Sequence, residues 1–328
     1  MALSADDTVP PADTSPLVSL RHVSKEYDGV RVVDDVTLDL YAGQTTVLVG
    51  PNGSGKTTTM EMLVGLRTMT EGSATIAGIP VTPGGSHRLC TGVQLQSSGL
   101  PSGIKTIEVI RSVSCLYADP ADWRPMAEML GVDEYLNSKT DALSGGQRRR
   151  LDVLCAALGK PQLLLLDEPS SGVDPEGRAR LGDFIRSLSA DGCAVLASTH
   201  DMAEAESFCD ELLVMADARI RLRGSVSEVL SALDGDRRLR IPAPTRAVRQ
   251  AVESSGRPHG CSGSSLTAIG DAYEIDALTA AIRALPEGDR VELLQGPVRL
   301  EDIFAVVLAD VRSDRRDAGR SPESQELS

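Results

Sequence analysis

The amino-acid sequence predicts an α/β fold: a parallel-sheet core preceded by antiparallel strands, interrupted by a helical subdomain, and followed by a small α+β appendage. Three observations carry this expectation. Short apolar runs, such as "TTVLVG" at residues 45–50 and "CAVLAST" at 193–199, alternate with helix-patterned segments. A glycine-rich turn, "GPNGSGKT" at 50–57, joins one such run to a helix. The four leucines of "QLLLLDEP", 162–169, form a run with no polar alternation, the pattern of a strand buried on both faces in a parallel sheet.

In chain order, residues 1–16 mix Pro, Asp, Ser and Thr without periodicity, the composition of a disordered tail, and contain neither the basic nor the apolar region of a signal peptide. "LVSLRHVSKEY" and "VTLDLYAG" then alternate as strands. The helix that starts near Lys56 carries Met60, Leu63 and Val64 at helical spacing. A helical subdomain is expected over about 97–150, because "TIEVIRSVSCLY" and "WRPMAEMLGV" repeat apolar residues at i, i+3 and i+4. Beyond the strand 193–199, "HDMAEAESF" opens another helix. Composition shifts near Leu233, so the main domain is expected to span 17–234, with the α+β appendage over 235–310 and a charged, solvated, disordered tail over 311–328.

With 328 residues, 41% of them hydrophobic, the chain can bury a sizeable core. Its formal net charge of −14, from 47 acidic and 33 basic residues, argues against neutralising a nucleic-acid backbone, so no nucleic-acid partner is expected. Six cysteines, Cys90, Cys115, Cys155, Cys193, Cys209 and Cys261, form no C-x-x-C pair and read as reduced thiols. No apolar run approaches the roughly 18–20 residues of a membrane helix. If the protein works at a membrane, a partner must supply the span.

"GPNGSGKT" fits G-x-x-x-x-G-K-[ST], with Gly50, Gly55, Lys56 and Thr57 in the defining places. Glycines let backbone N–H groups close around phosphate oxygens, Lys56 reaches the β- and γ-phosphates, and Thr57 offers a hydroxyl to Mg²⁺. Asp167 ends the four-leucine strand at the sheet edge where ligands sit, placed to hold a Mg²⁺ shell, and Glu168 beside it suits the activation of water. His200 closes the next apolar strand on the same edge; by position alone it reads equally well as a helix cap. Tyr27 ends an alternating strand and offers a face for stacking on a base.

A second glycine-rich stretch, "LSGGQRRR" at 143–150, has two readings. Ser144 with Gln147 is a capping box, which would make it a helix start and nothing more. Yet a capping box does not call for glycine at both intervening positions, each costing about 1 kcal/mol relative to alanine, and bare backbone at a helix N-terminus invites an anion. Arg148, Arg149 and Arg150 read either as part of a phosphate field or as a solvated charge run.

"GPNGSGKT", "LSGGQ", "LLLLDEP" and "STHD", in that order within residues 17–230, resemble the motifs of the ATP-binding cassette (ABC) family, P-loop NTPases that serve as the nucleotide-binding subunits of ABC transporters. The resemblance implies ATP and Mg²⁺ as ligands and a homodimer that sandwiches two ATP molecules head to tail. Gly50, Pro51, Asn52, Gly53, Ser54, Gly55, Lys56, Thr57 and Thr58 of one copy would hold the phosphates that Ser144, Gly145, Gly146 and Gln147 of the other clasp. It further implies Tyr27 as the adenine-stacking ring, Asp167 as the Mg²⁺-associated carboxylate, Glu168 as the base that activates water, and His200 as the γ-phosphate sensor. The family's lid glutamine falls within "GVQLQSSGL", where both Gln94 and Gln96 are candidates and the spacing favours Gln96 as the residue that reaches the metal and the water. Asp174 ends the dimer-contacting loop "SGVD", in which Val173 replaces the family's usual leucine.

"THDMAEAE", "LSGGQRRRL" and the C-terminal "RLEDIFAVVL" resemble more narrowly the single-cassette ATPases of ABC-2 type exporters, among them the drug and antibiotic resistance group. That resemblance implies a separate membrane-spanning permease as partner and a place on the inner face of the cell membrane. The competing expectation is an ABC ATPase acting on ribosomes or nucleic acid outside transport. A single cassette, no heptad run and the acidic balance weigh against it.

Overall fold

The computed structural model describes residues 15–96 and 99–318, which group into two compact units, Met1–Arg223 and Gly224–Ser328. The expected N-terminal tail lies outside the described residues apart from positions 15 and 16.

The first unit opens with β1 (Val18–Tyr27) and β2 (Val30–Leu40), an antiparallel hairpin closed by Asp28 and Gly29 at φ 49° and 80°. Two positive φ values in a two-residue loop make a type I′ turn, and Asp-Gly is the pair that favours it. After β3 (Thr45–Val49) and α1 (Lys56–Leu63) come β4 (Glu71–Ile76) and the two-residue β5 (Ile79–Pro80). These complete a sheet in the order β2-β1-β4-β5, whose pairings are all antiparallel.

The strand β6 (Thr91–Gln94) leads into the helical subdomain, α2 (Thr106–Ser114), α3 (Trp123–Leu130) and α4 (Gly145–Ala157). The chain then runs through β7 (Leu163–Asp167), α5 (Pro175–Ala190), β8 (Ala194–Thr199), α6 (Met202–Phe208), β9 (Glu211–Ala216) and β10 (Arg219–Gly224). The second sheet has the order β10-β9-β3-β8-β7-β6, and its pairings from β9 to β6 are parallel. Every residue of β3, β7, β8 and β9 is buried, which is why these segments are continuous apolar runs. The two sheets share one core, in which Leu20, Leu38 and Ile76 from the antiparallel strands meet Leu48, Leu165, Leu196 and Met60. Because the strands are parallel, the ends of β3, β6, β7 and β8 open on one edge.

The second unit contains α7 (Val226–Leu230), β11 (Arg237–Ile241), α8 (Arg246–Ser254), β12 (His259–Ser262), β13 (Ser265–Gly270), α9 (Ala272–Arg283), β14 (Leu294–Pro297) and α10 (Leu300–Ala318). From β11 to β14 the order is β-α-β-β-α-β, and the antiparallel sheet runs β12-β13-β11-β14, the split β-α-β arrangement. Its own core joins Leu239, Ile241 and Leu266 to Val248 and Val252 of α8 and Ile275 and Ile282 of α9. Gly260 admits α10: a Cβ there would run into the Ala305 carbonyl. The unit begins before the compositional shift at 233, because α7 packs against α10. The tail expected from 311 begins as helix, since α10 continues to Ala318 on a stretch rich in the helix formers Ala and Arg; residues 319–328 lie outside the described ones.

Candidate active site

The first glycine loop turns from β3 into α1 without a side-chain cap: Gly55 occupies the cap position at φ 109°, a conformation that disfavours any side chain. The helix's first N–H groups therefore point into the loop with no capping oxygen from their own chain. A Cβ at Gly50 would meet the Met215 carbonyl and one at Gly55 the Val32 carbonyl, so packing demands both glycines. Lys56 is 5% exposed, and its Nζ donates to the carbonyls of Gly50 at 2.8 Å and Pro51 at 3.2 Å. Burial lowers its pKa, and the neighbouring charges of Glu168 and Asp167 oppose that shift.

Asp167 is 1% exposed at the end of β7 and accepts two hydroxyls. Thr57 Oγ1, from α1, donates to its Oδ2 at 2.9 Å, and Ser198 Oγ, from β8, donates to its Oδ1 at 2.5 Å. Glu168 follows with φ 50°, in the left-handed region. Its N–H donates to both Ser198 O and Ser198 Oγ at 3.1 Å. That backbone turns the Glu168 carboxylate toward His200, whose Nδ1 lies 3.2 Å from Glu168 Oε1. His200 does not cap the following helix; Asp201 does, accepting from the N–H groups of Ala203 and Glu204. Lys56, Thr57, Asp167, Glu168 and His200, read separately from the sequence, thus converge at one place on the sheet edge.

Gln94 and Gln96 part company in the structure. Gln94 is 3% exposed, and its Nε2 donates to the carbonyls of Leu95 and Asp167. Gln96 is exposed, and its carbonyl accepts from Arg149 Nη1 at 3.1 Å. Tyr27 stands at the hairpin tip, 37% exposed, with Lys25 Nζ 4.7 Å from its ring centre and the Arg67 guanidinium at 6.0 Å.

The second glycine stretch forms a full capping box: Gln147 N–H donates to Ser144 Oγ at 3.2 Å and Ser144 N–H to Gln147 Oε1 at 2.9 Å. Tyr135, whose hydroxyl pKa burial pushes up to about 12, donates to the Gln147 carbonyl. Its two glycines differ. A Cβ at Gly146 would stand 3.1 Å from Gly172 O and Val173 Cα, whereas a Cβ at Gly145 would meet nothing within 4 Å. Asp174 caps α5, accepting from Gly177 N–H at 3.2 Å. Neither reading of the three arginines describes their positions. Arg148 donates to Thr140 O, Arg149 to Leu95 O and Gln96 O, and Arg150 to Leu130 O at the end of α3, so they clamp carbonyls of neighbouring segments to α4. Those carbonyls lie from 8 to 54 residues away in the chain, and local charge pattern cannot reveal them. Ser198, not read as a site residue, was hidden as a polar letter inside an apolar strand; of the two lid-glutamine candidates, Gln94 is the one buried against the Asp167 carbonyl.

Thr57 and Asp167 supply two hard oxygens side by side, the donor type Mg²⁺ takes together with substrate phosphates. No group of three or more His, Cys, Asp or Glu forms a metal cluster among the described residues. A glycine loop on a parallel-sheet edge, a buried lysine within it and a strand-end aspartate bonded to the loop's threonine define a P-loop nucleoside triphosphatase.

Comparisons with known proteins narrow this. The profile of the family described as "ABC transporter" matches residues 33–171, and that of "AAA domain, putative AbiEii toxin, Type IV TA system" matches 139–206. The "Nod factor export ATP-binding protein I" of Burkholderia orbicola (strain AU 1054) is 32% identical over 296 residues, covering 88% of this chain and 95% of that protein. A solved "Structure of ATP binding subunit of ABC transporter" superposes with TM-score 0.61 at 25% identity over 66% of this chain and 92% of that one. The "Dimeric structure of a post-hydrolysis state of the ATP-binding cassette MJ0796 bound to ADP and Pi", at 24% identity, shares the fold with TM-score 0.57 over 63% of this chain and 98% of that one. The chain belongs to the ABC transporter family. It is an ATP-binding subunit of that family and an ATPase.

Proposed function

We propose that this ATPase works as a homodimer that closes on two ATP molecules, with Mg²⁺, and passes the closure to a separate membrane-spanning permease for export. The observation that carries the dimer is the open first turn of α4. Gly145 leaves its backbone bare, with nothing of its own chain near the Cβ position, while Ser144 and Gln147 hold that turn rigid. A rigid, uncovered helix N-terminus suits the γ-phosphate of a nucleotide held by another copy.

Within one site, the loop 50–58, through the N–H groups of residues 52–58, and Lys56 bind and orient the phosphates, and Tyr27 stacks on the adenine after Lys25 moves off its ring. Thr57 and Asp167, with Gln96 from the adjoining loop, would hold Mg²⁺, which would neutralise charge on the transferring phosphoryl group. Glu168 accepts the proton of the attacking water, and His200, beside it, donates toward the γ-phosphate. Asp174 faces the partner subunit at the dimer interface.

Three further points support the membrane partner. No helix among the described residues is long and apolar enough to cross a membrane. A groove of about 500 Å³ lies between the helical subdomain and β6, lined by Val64, Leu66, Val93, Val113 and Tyr117, with Leu116 exposed beside it. It suits an apolar segment of a permease at the inner face of the membrane. The names of the relatives support export, in keeping with the ABC-2 type resemblance.

The test mixes two inactive variants, Lys56→Ala and Ser144→Arg. One site of the mixed dimer combines both defects and the other combines two intact halves. About one quarter of wild-type ATPase activity is expected to return, since random exchange makes half the dimers mixed. Activity that stays at the level of the separate variants overturns the shared site.

A further inference from the structure

We propose that Ser198 is a positioning residue for ATP hydrolysis: its buried hydroxyl fixes both the metal-side carboxylate of Asp167 and the backbone of Glu168. This rests on the proposed roles of those two acids. Ser198 is fully buried at 0% exposure, and in the β7–β8 ladder it stands opposite Asp167. A strand side chain that faces a core would ordinarily be apolar here, as Val195, Leu196 and Ala197 beside it are. Instead one hydroxyl makes two bonds of opposite sense, donating to Asp167 Oδ1 at 2.5 Å and accepting from Glu168 N–H at 3.1 Å.

Each bond solves a separate problem. Asp167 is 1% exposed, and without Ser198 its Oδ1 would lose its hydroxyl donor in a place water does not reach. An unpaired buried carboxylate oxygen is costly and turns to seek another partner, which would rotate Oδ2 away from Thr57. Glu168 holds φ 50°, a conformation L-residues adopt at a cost, and its N–H is anchored on Ser198 through both Oγ and O. The same hydroxyl therefore sets where one carboxylate points and holds the peptide from which the next departs. The Ser198 hydroxyl is engaged by Asp167 and the Glu168 N–H, so it acts through its neighbours.

Ser198→Ala and Ser198→Cys remove the strong donor, the second at nearly constant volume, and Ser198→Thr keeps the hydroxyl. Each is measured for ATPase kcat and KM, thermal melting, Mg²⁺ half-saturation, and binding of a fluorescent ATP analogue with Mg²⁺ and with a chelator. Removing an outer partner of a metal-side ligand typically costs about 10–100-fold. Ser198→Ala and Ser198→Cys are expected to lose kcat by that factor with little change in KM. They are also expected to raise the Mg²⁺ half-saturation and to lower the melting temperature by several degrees, while leaving chelator-state nucleotide affinity near wild type. Ser198→Thr is expected to recover most of both. An unchanged kcat and Mg²⁺ requirement in Ser198→Cys overturns the proposal, as does a folded Ser198→Thr as impaired as Ser198→Ala. Glu168→Gln, run in parallel, separates the readings: if it hydrolyses ATP at the wild-type rate, the assigned base is wrong whatever the Ser198 variants do.

Discussion

At the scale of single residues, Glu204 makes a prediction outside the phosphate site. It lies on α6 at 9% exposure and accepts from Thr199 Oγ1 at 2.6 Å, next to His200 in the chain. Burial is the largest influence on its carboxyl and raises the pKa above the ordinary 4.5, against hydrogen bonds from Ser170 and Thr199 that lower it. An acid with a raised folded-state pKa binds its proton more tightly folded than unfolded. Its contribution to stability is therefore complete below the unfolded value and is lost as pH rises through the folded one. Glu204→Gln removes that titration and keeps an acceptor for Thr199. Paired melting curves from pH 4.5 to 8 are expected to show the wild type losing ground to the variant as pH rises; parallel curves would refute the assignment. Such a residue is not legible in sequence, where "DMAEAE" offers two glutamates two residues apart and nothing to say which one is buried.

At the scale of elements, the two glycines that open α4 separate fold from function. Gly146 packs on the loop 171–174, so Gly146→Ala is expected to cost roughly 1–3 kcal/mol through overpacking. Gly145 faces open space, so Gly145→Ala is expected to leave stability unchanged or raise it by up to about 1 kcal/mol. If the bare turn receives a phosphate, Gly145→Ala still lowers ATPase activity at least tenfold. Urea unfolding and steady-state ATPase assays together check both, and full activity in Gly145→Ala would count against the anion role. The legible elements were those whose evidence is local. The run 45–49 followed by glycines and lysine needs no distant partner to be recognised, nor do the leucines before Asp167. The clamps of Arg149 on Leu95 and Gln96 and of Ser198 on Asp167 arise only when separate strands and helices meet. Pattern reading saw these residues as a charge run and as one more letter of a strand.

At the scale of the whole molecule, the parallel sheet was foreseeable and the topology of the C-terminal unit was not. β12 and β14 are four residues each, and β11, "RRLRI", places arginine where an exposed loop would. Too few residues alternate for periodicity to register. The unit nevertheless has its own core, so Gly224–Ser328 made alone is expected to unfold cooperatively in urea. Ile241→Ala, which empties part of that core, is expected to cost about 2–5 kcal/mol in this fragment. A gradual, non-cooperative transition in the fragment would show that the core is insufficient. Stability also bears on Glu168, whose left-handed backbone costs a residue with a side chain on the order of 1 to 3 kcal/mol. Glycine or asparagine would sit there more comfortably. On the proposed role of Glu168, Glu168→Gly and Glu168→Asn would abolish turnover while being downhill for folding, and a library screened only for stable expression would drift toward inactive cassettes. The fold alone would not choose glutamate; the proposed role in hydrolysis is what gives that strained position a use for a carboxylate.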